Sequence, residues 1–122
     1  MKKIAVFAII NTTNGVIVTT RPEDANVPFG LPGGKVDPGE PLEVALVREC
    51  FEEGVDISCC SFEKVHEDRV DDVLVHWFLV EGDYELLSDY KEKYRDIKVI
   101  FQSVHEVANS GYGNEFISTL LN

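Results

Sequence analysis

The sequence predicts an α+β domain, because short β-branched runs bounded by turn residues are followed by a helix at residues 41–53 and a second amphipathic stretch at the C-terminal end. With 122 residues, 44% of them hydrophobic, the chain can bury the core of one domain spanning 1–122. No internal repeat, low-complexity tract or linker interrupts it.

Residues 3–10 are apolar almost throughout and read as a strand buried on both faces. Asn14-Gly15 is a strong hairpin turn leading into Val16-Ile17-Val18-Thr19-Thr20, so the first two strands are expected to pair antiparallel. Arg21-Pro22 through Pro28 reads as a polar loop, since both prolines discourage regular structure. The run Gly30-Leu31-Pro32-Gly33-Gly34-Lys35 follows, with adjacent glycines that let the backbone approach a ligand and leave a carbonyl free to turn toward a metal. Pro41 suits a first helical turn, Glu40 supplies an anion near the N-terminus, and Gly54 suits the left-handed position that closes the helix after Glu53.

Beyond the helix, Ile57 to Val65 is expected as a strand, Glu67-Asp68-Arg69-Val70-Asp71-Asp72 as an acidic hairpin loop, and Val73 to Val80 as the clearest remaining strand. Tyr84 to Tyr94, with Leu86, Leu87 and Tyr90 at helical intervals, is either a short helix or an ordered loop. Lys98 to Phe101 reads as a late strand. Phe116, Ile117, Leu120 and Leu121 place an amphipathic helix over Asn114–Leu121, packed on the sheet.

Within the first helix, Glu49, Glu52 and Glu53 follow Arg48. At about 100° per residue the three carboxylates share one arc, with Leu46, Val47, Cys50 and Phe51 expected on the opposite side. Like charges at these spacings oppose a helix by roughly 0.2–0.5 kcal/mol per pair, and each anion near a helix C-terminus is disfavoured by about 0.3–1 kcal/mol. A purely structural helix would carry Lys or Arg there, whereas a bound dication reverses the sign. Oxygen ligands without a His or Cys cluster suit Mg²⁺ or Mn²⁺ rather than zinc. A solvated acidic face is the alternative reading of the cluster on its own.

Gly34, Glu40, Arg48, Glu49, Cys50, Glu52 and Glu53 stand at the spacing Gly, five residues, Glu, seven residues, Arg-Glu-apolar-any-Glu-Glu. This segment, Gly34 to about Ile57, resembles the signature of the Nudix hydrolase family. It departs from the pattern at one place, because Gly54 follows Glu53 directly where the family has one intervening residue. The resemblance implies an α/β/α sandwich, a mixed β-sheet flanked by helices, with which the order of elements is compatible. It also implies Mg²⁺- or Mn²⁺-dependent hydrolysis of the pyrophosphate bond in a nucleoside diphosphate linked to another moiety: a nucleoside triphosphate, nucleotide sugar, ADP-ribose or dinucleoside polyphosphate.

Under that resemblance, Glu52 and Glu53 are the principal metal ligands, with the Gly33 carbonyl a further one. Glu49 is ligand or general base, and Arg48 orients it through a multi-donor guanidinium. Glu40 is either a helix-start anion or a substrate-side group. Lys35 meets phosphate or is a solvated charge, and Arg21 is a candidate contact to a base or phosphate. Glu92, Asp96, Glu106 and Glu115 are candidates for an additional loop carboxylate. Trp77, Tyr84 and Tyr112 are candidates to stack on a base, with core packing the default for Trp77.

The formal charge of −11, from 22 acidic and 11 basic residues, argues against an extended nucleic-acid groove and favours a small phosphorylated nucleotide bound through a dication. His66, His76 and His105 are scattered, and Cys50, Cys59 and Cys60 lack metal-ligand spacing, so a zinc site is not expected. The free-cysteine pattern suits a reducing cytoplasm. The apolar start after Met1-Lys2-Lys3 runs into Asn11-Thr12-Thr13 without a small-residue cleavage site, and no stretch is long enough to span a membrane. A homodimer is left open. The competing function is a non-catalytic nucleotide-binding sensor or scaffold of the same fold, and a third is an acidic interaction domain that binds no metal.

Overall fold

The computed structural model describes residues 3–20, 29–87 and 97–121. In chain order the elements are β1 (Lys3–Ile9), β2 (Asn11–Thr12), β3 (Gly15–Thr20), β4 (Phe29–Gly30), β5 (Gly33–Lys35), α1 (Leu42–Glu52), β6 (Val55–Asp56) and β7 (Ser61–Val70). They continue with β8 (Val73–Glu81), β9 (Glu85–Leu86), β10 (Val99–Gln102), α2 (Val104–Ala108), a 3-10 turn at Asn114–Phe116 and α3 (Ile117–Leu120).

β1 is central because it is apolar on both faces. Val6, Ala8 and Ile10 pack with Phe78, Val80 and the α1 residues Ala45, Leu46 and Cys50. The alternate residues Ala5 and Ile9 pack with Val75, Trp77, Val107 and Ile117, which belong to β8, α2 and α3. Since successive strand side chains point to opposite faces, this division puts α1 on one face and α2 with α3 on the other. The result is the expected α+β sandwich.

Strand pairing differs from expectation. The Asn14-Gly15 hairpin forms, but it joins β3 to the short β2. The body of β1 pairs parallel with β8 from Lys3↔Val73 to Ile9↔Leu79, and antiparallel with β5 through Ala5↔Lys35, Val6↔Gly34 and Phe7↔Gly33. A strand buried on both faces takes a partner along each edge, and the nearest segment in sequence is not the best partner. The four-stranded sheet has the order β5-β1-β8-β7, while β3 lies between β10 and β2 in a second sheet.

Three further expectations are corrected. The strand placed at Ile57–Val65 starts only at Ser61, and the acidic loop contracts to the Asp71-Asp72 turn, with Val70 opposite Val73. Charged residues are tolerated in β7 because it is an edge strand with much of its surface in solvent. Asp71 adopts φ 54, a left-handed conformation that Asp tolerates better than most residues. Within Tyr84–Tyr94, Glu85–Leu86 is a strand paired with β6, and residues 88–96 lie outside the described part. The polar loop at 21–28 also lies outside it. The C-terminal helix forms with a 3-10 first turn, and α2 is an additional helix whose Ser103 cap accepts from the Glu106 N–H at 3.1 Å.

Candidate active site

α1 begins after Pro41, whose extended ψ of 145° makes it the N-cap, and ends at Glu53. Gly54 follows at φ +98, and its carbonyl accepts from the Leu87 N–H at 2.8 Å. The expected closing glycine is therefore present.

The carboxylates do not share a solvated arc. Glu49 and Glu53 are buried, at 6% and 4% exposure, on the side that also carries Leu46 and Cys50. Leu46 and Cys50 thus flank the acids rather than oppose them. Val47 and Phe51 are only partly buried, farther round the helix. The acids are tolerated in the interior because each meets a donor. The Gly33 N–H donates to Glu53 Oε1 at 3.0 Å in a buried hydrogen bond, and Arg48 Nη1 donates to Glu49 Oε1 at 2.9 Å.

Arg48 organises the rest. Its Nε and Nη2 each donate to one oxygen of Glu40 at 2.8 Å, a bidentate fork, and Nη2 also donates to the Lys35 carbonyl at 3.0 Å. Nη1 lies 3.5 Å from Glu52 Oε1. One guanidinium therefore ties the loop before α1 to Glu49 and Glu52, and it offsets much of the repulsion that the sequence suggests. Hydrogen bonding to Arg48 holds the Glu40 carboxyl down to about 2 from the usual 4.5, and the Asp37 N–H donating to Glu40 at 3.1 Å lowers it further. Glu40, Glu49 and their hydrogen bonds hold Arg48 still more firmly charged. Glu40 acts here as the anchor of Arg48, with both oxygens engaged.

The two glycines of β5 have separate steric duties. A Cβ on Gly33 would overlap the Val6 carbonyl oxygen and come within 2.8 Å of Phe7 Cα, so only glycine lets β5 lie against β1 there. A Cβ on Gly34 would strike the Glu49 carboxylate, at 2.6 Å from its carboxyl carbon. Glu49 occupies the space that a side chain at position 34 would fill.

The donor set fits a hard dication, because Glu49, Glu52, Glu53 and the Gly33 peptide offer only oxygen acceptors. The neighbouring sulfur does not compete. Burial pushes the Cys50 thiol well up, and the nearby charges of Glu53 and Glu49 push it further, which disfavours the thiolate that a metal would need. Among the described residues no group of three or more His, Cys, Asp or Glu side chains is arranged to hold a metal ion by itself. An ion that keeps several waters and is completed by substrate phosphates does not require one.

The other sequence candidates separate. Lys35 is exposed at the end of β5, and Arg21, Glu92 and Asp96 lie outside the described residues. Glu106 and Glu115 are exposed on α2 and the 3-10 turn, elements that cover the sheet face opposite α1. Trp77 is fully buried, its Nε1 donating to Asn114 Oδ1 at 3.0 Å, and Tyr84 packs against the core on the α1 side. His66 stacks on Phe116, with ring centroids 4.0 Å apart. His76 is buried 3.3 Å from Glu67, where burial lowers its basicity and Glu67 opposes that shift. No described helix is long and apolar enough to cross a membrane.

Known proteins with the same features are found by sequence and by fold. The family model for the NUDIX domain matches residues 1–120. An 8-oxo-dGTP diphosphatase of Escherichia coli (strain K12) is 43% identical over 88 residues, covering 66% of this chain and 68% of that protein. A MutT protein from Bacillus halodurans superposes with a TM-score of 0.70 at 16% identity, covering 98% of this chain and 82% of the other. A bifunctional NMN adenylyltransferase/ADP-ribose pyrophosphatase from Francisella tularensis, complexed with AMP and a Mn ion, superposes with a TM-score of 0.63 at 16% identity over 99% of this chain and 41% of that one. With the Arg48-centred carboxylates, the glycine pair and a family match along nearly the whole sequence, the chain belongs to the Nudix hydrolase family, as a pyrophosphohydrolase.

Proposed function

We propose that the protein hydrolyses the pyrophosphate linkage of a nucleoside diphosphate joined to another group, with Mg²⁺ or Mn²⁺ as cofactor, and that a nucleoside triphosphate is the first substrate to test. The similarity to an 8-oxo-dGTP diphosphatase supports that order. The observation that carries the reading is the Arg48 bridge, which fixes Glu49 against Gly34 while the Gly33 N–H fixes Glu53 one helical turn farther on.

Glu52, Glu53, Gly33 and Glu49 would hold the dication, which would supply charge neutralisation at the phosphoryl oxygens and a more acidic attacking water. The protein's own part is positioning. Arg48 orients Glu49 through its 2.9 Å hydrogen bond, whether Glu49 serves as ligand or as the base that takes the proton from water. Gly34 leaves the carboxylate room to stand beside the backbone. Lys35, exposed next to these groups, can meet a phosphate oxygen, and Arg21 remains a candidate contact to the base or phosphate.

Incubation with nucleoside triphosphates, nucleotide sugars, ADP-ribose and dinucleoside polyphosphates in millimolar Mg²⁺, followed by identification of products, tests this reading. A nucleoside monophosphate with pyrophosphate, or with the phosphorylated partner group, is expected from at least one class. Binding without any turnover across the panel would instead support the sensor or scaffold reading.

A further inference from the structure

Gly54 follows Glu53 without an intervening residue, so the left-handed turn at φ +98 begins immediately after a residue proposed for the metal. Glu53 is itself the C-cap of α1, at φ −93 and ψ 0, and its N–H reaches back to the Glu49 and Cys50 carbonyls at 3.3 and 3.1 Å. Helices fray at this position. The Glu53 carboxylate accepts from the Gly33 N–H, and that bond fixes the side chain only while the end of α1 stays in place.

The contact that holds this end comes from far along the chain. The Gly54 carbonyl accepts from the Leu87 N–H at 2.8 Å, and the residues next to it form the two-residue ladder of β6 with β9, Val55 opposite Leu86 and Asp56 opposite Glu85. The two strands contribute unequally to the core. Val55 is fully buried in one cluster with Ala45, Leu46 and Cys50 of α1, whereas Glu85 is exposed and Leu86 is 42% exposed. Asp56 and Glu85 are like charges directly opposed, which weakens such a pair. β9 therefore adds little through its side chains. What it presents is a main-chain donor to the residue that follows Glu53.

We propose that Leu87 is a positioning residue, whose main-chain N–H anchors the end of α1 so that Glu53 is held in place for the dication. With the Gly33 N–H on its carboxylate and the Leu87 N–H on the adjoining carbonyl, Glu53 is set from both side chain and backbone. Glu49 needs no such anchor, because it lies one turn deeper in α1 and is gripped by Arg48. This rests on the metal-dependent reading above and adds to it the contact that orients one ligand.

Amide hydrogen exchange of the unaltered protein, followed by NMR, tests this without turnover. Coupling between two sites is reciprocal, so saturating Mg²⁺ should slow exchange of the Leu87 N–H roughly tenfold or more, the effect of a group that orients a ligand. The slowing should exceed that of the β10 amides in the other sheet. Leu87→Pro removes the donor, and its Mn²⁺ dissociation constant, read from the electron paramagnetic resonance signal of free Mn²⁺, should rise by about ten- to 100-fold. Leu87→Ala keeps the donor and should bind Mn²⁺ as the parent does. Metal-free thermal melts establish that both variants fold, and if Leu87→Pro does not, the exchange result decides. Slowing at Leu87 no greater than in β10, parent-like affinity in Leu87→Pro, or an equal loss in Leu87→Ala would each overturn the proposal and leave the metal reading intact. A parent that binds no Mn²⁺ would overturn the metal reading, and this proposal with it.

Discussion

Glu53→Gln is expected to slow turnover by at least about a hundredfold, the lower end for removing a key electrostatic group, while the fold survives. Gln keeps an oxygen that can accept the buried Gly33 N–H, so that bond persists. It removes one of three neighbouring anions near the end of α1, where no basic residue stands in the last turn. The metal-free variant should therefore melt at or slightly above the parent. Mg²⁺ should raise the parent's midpoint more than the variant's, because a ligand stabilises by mass action in proportion to its affinity. Glu53→Ala is the contrasting case: it leaves the Gly33 N–H buried without its acceptor, at a cost of about 1–3 kcal/mol. A Gln variant that melted well below the parent yet kept full activity would make Glu53 a structural residue.

Gly33→Ala should be the most damaging single methyl in the described part of the chain. The new Cβ would overlap the Val6 carbonyl, and it would have to be carried at φ +149. Backbone cannot yield as a side-chain tip can, so β5 must lift from β1, taking with it the N–H that holds Glu53. A loss of about 3 kcal/mol or more is expected, against a total domain stability of roughly 5–15 kcal/mol, lowering the thermal midpoint by roughly 10 °C. Gly39→Ala is the control. Its φ is +77 but nothing lies within 4 Å of the added Cβ, so conformational strain acts alone and the fall should be clearly smaller. Equal melts for the two variants would show that the close contact between β5 and β1 is not what position 33 provides.

The site was legible in sequence where its geometry is local. Arg48, Glu49, Glu52 and Glu53 lie on one helix whose limits Pro41 and Gly54 announce, and the glycine pair marks the close approach that the structure shows at Gly33 and Gly34. The burial of Glu49 and Glu53 was not legible, because periodicity gives the direction of a side chain but not what covers it. Likewise, nothing local says that Arg48 reaches back eight residues to grip Glu40. The parallel pairing of β1 with β8 joins segments about seventy residues apart and is decided by the core, not by the adjacent turn. The charges of β7 obscured an edge strand. α2 was within reach, since Ser103 and Glu106 have the spacing of a helix-capping pair, and the structure makes that bond.

The central claim is that α1 and the glycine pair hold a dication on which pyrophosphate hydrolysis depends. Its most direct test is turnover of the best substrate after exhaustive chelation and metal removal, followed by re-addition. Activity should vanish and return with millimolar Mg²⁺ or Mn²⁺, while Zn²⁺ should substitute poorly because the donors are all oxygens. Full activity in the metal-free protein would contradict the account.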